Sequence, residues 1–257
     1  MIRVLSLGAG VQSTTVAGMI ASGELPPVDC AIFADTQWEP AAVYEHLKKL
    51  KQALPFPVYI VTAGNIREAA ISGINTTGQK FSAIPWYSIS PHGKRGMGRR
   101  QCTSEYKLNP IKRKVVELLG GRRPKGGCEM LIGISTDEAS RMKPSRVQYI
   151  VNKYPLIELG MSRRDCKTWL ADKGWTAPRS ACIACPYRSD AEFKLLTPAE
   201  FADACEADVA IRHLPGVRGE QYVHRSLKPL SEVDLSTAEE RGQLNMFNNE
   251  CEGMCGL

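Results

Sequence analysis

No stretch of the chain stays apolar for the ~20 residues that a membrane span needs. Nor does the N-terminus carry a basic segment followed by an apolar run and a small-residue cleavage site. The expectation is a protein of the cytoplasm with no membrane partner. Internal repeats and low-complexity tracts are also lacking. Histidine is scarce: His46, His92, His213 and His224 are the only four, and none is spaced with a cysteine pair in a zinc-finger pattern. At 43% hydrophobic and 23% charged residues, the composition is ordinary for a globular chain and sufficient for a sizeable core, but it singles out no function.

A net charge of +6 over 257 residues suits a protein whose ligand is a phosphate or sulfate ester, or a nucleic acid. The cations cluster as Lys94, Arg95, Arg99 and Arg100, and as Lys112, Arg113, Lys114, Arg122, Arg123 and Lys125. Such runs taken alone are ordinary solvated faces. Nine cysteines are present. In a compartment that keeps thiols reduced they argue for metal binding or redox chemistry rather than for a disulfide framework.

Arg3 to Leu7 is a short apolar run that ends in Gly8-Ala9-Gly10-Val11-Gln12-Ser13-Thr14, after which Thr15 to Ile20 can wind as a helix. Glycines let a backbone approach a ligand closely. The free N–H groups at a helix start, with the Ser13 and Thr14 hydroxyls, suit a phosphate or sulfate. Cys30 to Ala34 is a second buried-strand run, capped by Asp35-Thr36 and followed by a helix from Glu39-Pro40 to about Leu54; Val58 to Val61 reads as a third strand. This alternation predicts an α/β fold: a Rossmann-like parallel sheet flanked by helices, with ligands beyond the carboxyl ends of the strands. A helix is expected from Ser162 to Lys173 as well.

Cys182-Ile183-Ala184-Cys185-Pro186 has the Cys-x-x-Cys spacing that turns two thiolates toward one centre. Zinc, a redox dithiol and an iron–sulfur cluster all use it. The poverty of histidine favours iron–sulfur. Cys30 and Cys205 read as buried apolar residues, and Cys128 and Cys166 receive no role. Toward the C-terminus, Pro198 to Ala207 and Ser236 to Met246 read as helices, the second with Ser236 as its cap, separated by loops at Pro215, Gly216 and Gly219. This small helical region is expected to act as a lid.

Four blocks together resemble the adenine-nucleotide alpha-hydrolase superfamily, in particular its phosphoadenylylsulfate (PAPS) reductase branch and the related sulfur-inserting ATP pyrophosphatases. Gly8-Ala9-Gly10-Val11-Gln12-Ser13 is similar to the family's pyrophosphate loop, and Phe33-Ala34-Asp35-Thr36 with Glu39-Pro40 to its strand-end Asp-Thr element. Arg100-Gln101-Cys102-Thr103, with Lys107 and Pro110-Ile111, resembles its Arg-Trp-Cys-Thr segment. Gly133-Ile134-Ser135-Thr136-Asp137-Glu138-Ala139-Ser140-Arg141 resembles its Gly-Ile-Arg stretch, and Tyr154-Pro155-Leu156-Ile157 its Pro-Leu segment. The likeness covers residues 3 to 190, implying an alpha-hydrolase-like domain over 1–190 and a helical extension with a cysteine-bearing tail over 191–257. Two departures stand out. The family's loop Lys and Asp are Val11 and Gln12 here, and the tail reads Cys251-Glu252-Gly253-Met254-Cys255 rather than Glu-Cys-Gly-Leu-His.

The resemblance implies that Gly8, Ala9, Gly10, Gln12, Ser13, Thr14, Asp35, Thr36 and Gly133 hold an adenine nucleotide, ATP with optional Mg2+, or else PAPS or APS. It implies a [4Fe-4S] cluster on Cys102, Cys182 and Cys185, with Cys251, Cys255 or an open iron as the fourth position. Arg100, Lys107 and Arg141 would hold the phosphate and sulfate groups, and Cys255 would attack sulfur. Two activities follow. One is ATP-dependent, AMP-forming sulfur insertion into DNA or tRNA, with a cysteine desulfurase as partner. The other is reduction of PAPS or APS to sulfite, with a thioredoxin-like reductant. A binding module that lost the chemistry is a third reading, and a homodimer is left open.

Overall fold

The computed structural model describes residues 1–76, 78–79, 82–214, 219–237 and 240. Along the chain run β1 (Ile2–Leu7), α1 (Val11–Ala21), β2 (Cys30–Asp35), α2 (Ala41–Ala53), β3 (Val58–Thr62), α3 (Ile66–Ser72), β4 (Tyr87–Ile89), β5 (Arg95–Met97), α4 (Asn109–Leu118), β6 (Cys128–Ile132), β7 (Ile150–Lys153), α5 (Pro155–Glu158), α6 (Arg163–Asp172), α7 (Asp190–Lys194), α8 (Pro198–Ala210) and β8 (Glu220–Tyr222). Among the described residues no helix is long and apolar enough to cross a membrane. The chain forms two compact units, each assembled from separated segments. One holds Met1–Asp35, Ala41–Ala63 and Tyr106–Ser180; the other holds Thr36–Pro40, Gly64–Glu105 and Ala181–Leu257.

The first unit is built on a five-stranded sheet in the order β3-β2-β1-β6-β7, every pairing parallel. This is the expected α/β architecture. β2 is buried from Cys30 through Ala34, because a parallel sheet is covered on both faces and its strands can be apolar at every position. Side chains alternate between the faces with the period of two that a strand imposes. Leu5, Leu7, Ala31, Phe33 and Leu131 pack with α1, α2 and α6, whereas Val4, Ile32, Cys128 and Met130 pack with Ile111 and Val115 of α4. α1 and α6 approach so closely that a Cβ on Gly18 would lie 2.7 Å from the Trp169 ring.

The second unit carries the antiparallel sheet β5-β4-β8, whose three-residue strands give no alternation long enough to read from sequence. The α8 carboxylate Asp208 is 1% exposed. It is satisfied there by the Val223 N–H at 2.7 Å, the Leu230 N–H at 3.2 Å and the Arg212 guanidinium.

Three sequence readings are adjusted. α1 begins at Val11 rather than Thr15, since Gly10 already serves as its N-cap, which places Gln12, Ser13 and Thr14 inside the first turn. α8 runs on to Ala210. Ser236 is not the residue that caps: Thr237 exchanges bonds with Glu240, its N–H donating at 2.7 Å and its hydroxyl accepting at 3.2 Å. The remainder of the helix expected to Met246 lies outside the described residues, as do Pro215 and Gly216.

Three thiols in the first unit tie its stability to pH. Burial is the first cause in each case: it pushes Cys30 from its ordinary 9.0 to about 11, Cys128 to about 12 and Cys166 to about 11. Above pH 9 the unfolded chain releases these protons while the folded chain keeps them. The folded state then binds more protons, so stability falls as pH rises through this window. Urea unfolding is expected to show a midpoint that drops from about pH 8 to about pH 10.5, each thiol costing up to about 1.4 kcal/mol per pH unit. A Cys128→Ala variant should decline less steeply; an identical slope would remove these thiols from the account.

Candidate functional site

The strand order reverses direction between β1 and β6, and an open parallel sheet leaves a crevice at such a switch point, beyond the carboxyl ends of its strands. Two loops meet there. After β1, Gly8 donates its N–H to Ser13 Oγ at 3.1 Å, Ala9 takes a positive φ of 55°, and Gly10 caps α1 with no side-chain hydrogen bond. A fully buried alanine with that φ carries backbone strain, which the surrounding structure must hold. After β6, Gly133 passes so near that a Cβ on it would sit 2.8 Å from Ser13 N and 2.9 Å from Ser13 Cα. The first N–H groups of α1 have no carbonyl partners within the helix, and the helix dipole adds partial positive charge at the same place. This is the chemistry of an anion cradle.

Val11 does not take part. Its side chain is 6% exposed within the apolar core, so nothing replaces a lysine at this position of the loop. Gln12 is drawn into a buried network instead. Its amide donates to Glu138 Oε2 at 3.3 Å and to Ser135 Oγ at 3.4 Å, while Arg141 donates to Glu138 Oε1 at 2.6 Å. The cation at Arg141 is thereby joined to the loop through a carboxylate. Thr14 faces inward, its Oγ1 2.9 Å from His46 Nε2. Burial, with Lys49 nearby, lowers the His46 pKa, which favours the neutral ring that can share a proton with a hydroxyl. Asp35 accepts from the Tyr44 hydroxyl at 2.9 Å. Lys107 is half-buried.

The thiol loop belongs to the second unit. Thr36 Oγ1 lies 3.5 Å from Cys182 Sγ, and the Ile183 N–H donates to the Trp38 carbonyl at 2.9 Å. The Cys-x-x-Cys turn closes with Cys185 N–H to Cys182 O at 3.1 Å. Arg188, 4% exposed, clamps it by donating to Cys182 O at 3.1 Å and Ala181 O at 2.7 Å. Burial raises the Cys185 pKa and the nearby Cys102 adds to the rise; a hydrogen bond from the Tyr187 backbone and the charges of Arg188 and Arg100 oppose it. Arg100 stacks over the Tyr187 ring at 5.1 Å, and Cys102 is fixed by its N–H to the Ala83 carbonyl at 2.8 Å.

Gly8, Ala9, Gly10, Gln12, Ser13 and Gly133 are thus gathered at one crevice, with Arg141 attached through Glu138, while Thr14 is turned away toward His46. Cys102 and Arg100 lie near Cys185. Even so, among the described residues no group of three or more His, Cys, Asp or Glu side chains is placed to hold a metal ion, and Cys251 and Cys255 lie outside those residues. Glu138, His46 and Arg188 escaped the sequence reading. Glu138 lay within a block already marked, three residues before Arg141, and that spacing on a helical turn was a usable signal.

No protein-family model matches the chain, and no curated protein does. The chain is similar to a crystal structure of phosphoadenylyl-sulfate (PAPS) reductase from Candida auris in a phosphate complex. The identity is 16%, over 70% of this chain and 75% of that one, with a TM-score of 0.46. Nothing about activity follows from a likeness at this level. The class stands on the sheet itself: an α/β protein with an open parallel sheet and two glycine-bearing loops meeting at its switch point.

Gly133→Ala is expected to force the β6 loop away from Ser13. Overpacking of this kind costs about 1–3 kcal/mol, measurable as a lowered urea midpoint. A variant with unchanged stability would show that the close approach has no consequence.

Proposed function

We propose that the chain is an adenine-nucleotide-binding enzyme of sulfur metabolism that inserts sulfur into nucleic acid at the expense of ATP. The observation that carries this reading is the meeting of the Gly8–Gly10 loop and the start of α1 with Gly133 at the switch point, where a polyphosphate can be held by backbone N–H groups. An oxygen of the acceptor, DNA or tRNA, attacks the α-phosphorus. The bond to the β-phosphate oxygen breaks, pyrophosphate departs, and the acceptor carries AMP. Hydrosulfide, released when a thiol reductant cleaves the persulfide of a partner such as a cysteine desulfurase and is itself oxidised to a disulfide, then displaces AMP. Ser13 and the N–H groups of α1 orient the phosphates, with Mg2+ as an optional companion, Asp35 and Thr36 edge the nucleotide, and Arg100, Lys107 and Arg141 supply positive charge.

The resemblance also implies a [4Fe-4S] cluster, which would hold or deliver sulfur. Cys102, Cys182 and Cys185 would bind it, with Cys251, Cys255 or an open fourth position. The geometry of the described thiols does not fit such a centre, since no three ligands converge among the described residues. Zinc or a redox dithiol at Cys182 and Cys185 competes for the same residues. Iron and acid-labile sulfide that copurify anaerobically and are lost from Cys185→Ala would support the cluster, whereas zinc alone would end that proposal.

Reduction of PAPS or APS to sulfite, with Cys255 as the attacking thiol and a thioredoxin-like reductant, is the second reading. It is favoured by Val11, whose apolar burial leaves no loop cation for a departing pyrophosphate. Incubation under reducing, anaerobic conditions separates the two. Pyrophosphate and AMP from ATP in the presence of nucleic acid and sulfide are expected. Sulfite from PAPS would replace the first reading with the second, and neither product would leave a binding module.

A further inference from the structure

The edge of the sheet opposite the crevice carries a second feature. β6 begins at Cys128 and β7 at Ile150, parallel to β1, so the loops that enter them lie at the amino ends of the strands. That is roughly 15 Å along the sheet from the loop after β1. These two loops are joined: Gly126 N–H donates to Gln148 O and Cys128 N–H to Tyr149 O, each at 2.9 Å. Beneath them Leu119, Val147 and Tyr149 pack on one apolar cluster. On the outside stand Arg122, Arg123 and Lys125 from one loop and Arg146 from the other, all exposed. None of these four side chains has a hydrogen-bond, ion-pair or ring partner among the described residues.

Some exposed cations elsewhere are paired, as Lys194 is with Glu240 and Arg225 with Asp190. The two carboxylates at this edge are engaged by Arg3. Its N–H bonds Asp29 at 2.7 Å, and its guanidinium bonds Glu129 at 2.9–3.0 Å. Four like charges on adjoining loops repel one another unless a polyanion covers them. The loop also contains Gly120, Gly121 and Gly126, all with positive φ, so it presents little side-chain bulk between the cations and a ligand. Large apolar side chains that could enter a lipid surface are lacking from 120–126. Arginine, three of the four, is the side chain whose planar fork matches phosphate oxygens.

We propose that Arg122, Arg123, Lys125 and Arg146 form a docking surface for the phosphate backbone of a nucleic acid, at the sheet edge opposite the nucleotide crevice. The inference rests on the reading of nucleic acid as sulfur acceptor. It deepens that reading by naming where the acceptor is gripped outside the reacting site. Contacts to phosphate alone fix position without reading sequence, so binding here is sequence-tolerant and strongly salt-dependent.

Fluorescence anisotropy of a labelled random-sequence DNA duplex tests this on the full chain. Four phosphate contacts predict a slope of log K against log salt of about −3.6. The triple variant Arg122→Ala, Arg123→Ala, Lys125→Ala should flatten that slope by nearly three and weaken binding on the order of a hundredfold at low salt. Arg146→Glu should weaken it independently. Removing the same number of charges from α2, as Lys48→Ala, Lys49→Ala and Lys51→Ala, should leave the slope unchanged. Equal loss from both triple variants, no loss from either, or capture by phosphatidylserine vesicles without duplex binding would each overturn the proposal. Pyrophosphate release assayed alongside separates the two failures. Release without duplex binding sinks the surface alone, and duplex binding without release sinks the proposed reaction alone.

Discussion

The first unit depends on one close approach: the β6 loop must pass within van der Waals range of the backbone at Gln12 and Ser13, and only a residue without a Cβ can do so. Gly133 meets that constraint. With the two loops in contact, the start of α1 is held beside β6, Gln12 can reach Ser135 and Glu138, and Arg141 is brought to the loop through Glu138. The inward turn of Thr14 toward His46 braces the same helix from behind.

This arrangement changes what the altered loop means. Val11 and Gln12, taken as a string, read as a missing cation and a missing carboxylate. In the fold they have positive roles: Val11 is part of the core, and Gln12 is a donor to a buried carboxylate that Arg141 balances. The anion cradle that remains is made of backbone rather than of a charged side chain. Backbone donors at a helix start are fixed before the ligand arrives and need no reorganisation when it binds.

The parallel sheet was legible because β1, β2 and β3 are apolar runs followed by turn residues and helical stretches, most plainly at β2, which is buried from Cys30 through Ala34. Gly8 and Gly10 were legible as a glycine-rich turn after a strand, whereas Gly133 was marked only by the resemblance of its block, and its close approach to Ser13 is visible only in the fold. Other features were hidden. The three-residue strands Tyr87–Ile89, Arg95–Met97 and Glu220–Tyr222 are too short to show a period. Units assembled from interleaved segments are not visible to a linear pass, because the contacts that define them join residues far apart along the chain. His46 matters through its one bond to Thr14, which no local pattern announces, and Glu138 joins Arg141, three residues on, to Gln12, which is distant in the chain. The thiols were recognisable by spacing, but spacing does not fix convergence, and the described cysteines do not gather three ligands at one point.

The proposed hold on an adenine nucleotide by the backbone where the β1 and β6 loops meet is tested most directly by amide hydrogen exchange with and without ATP. Slowed exchange confined to residues 8–14 and 133–136 is the predicted result. Unchanged exchange there under saturating nucleotide, with protection appearing elsewhere, would contradict it.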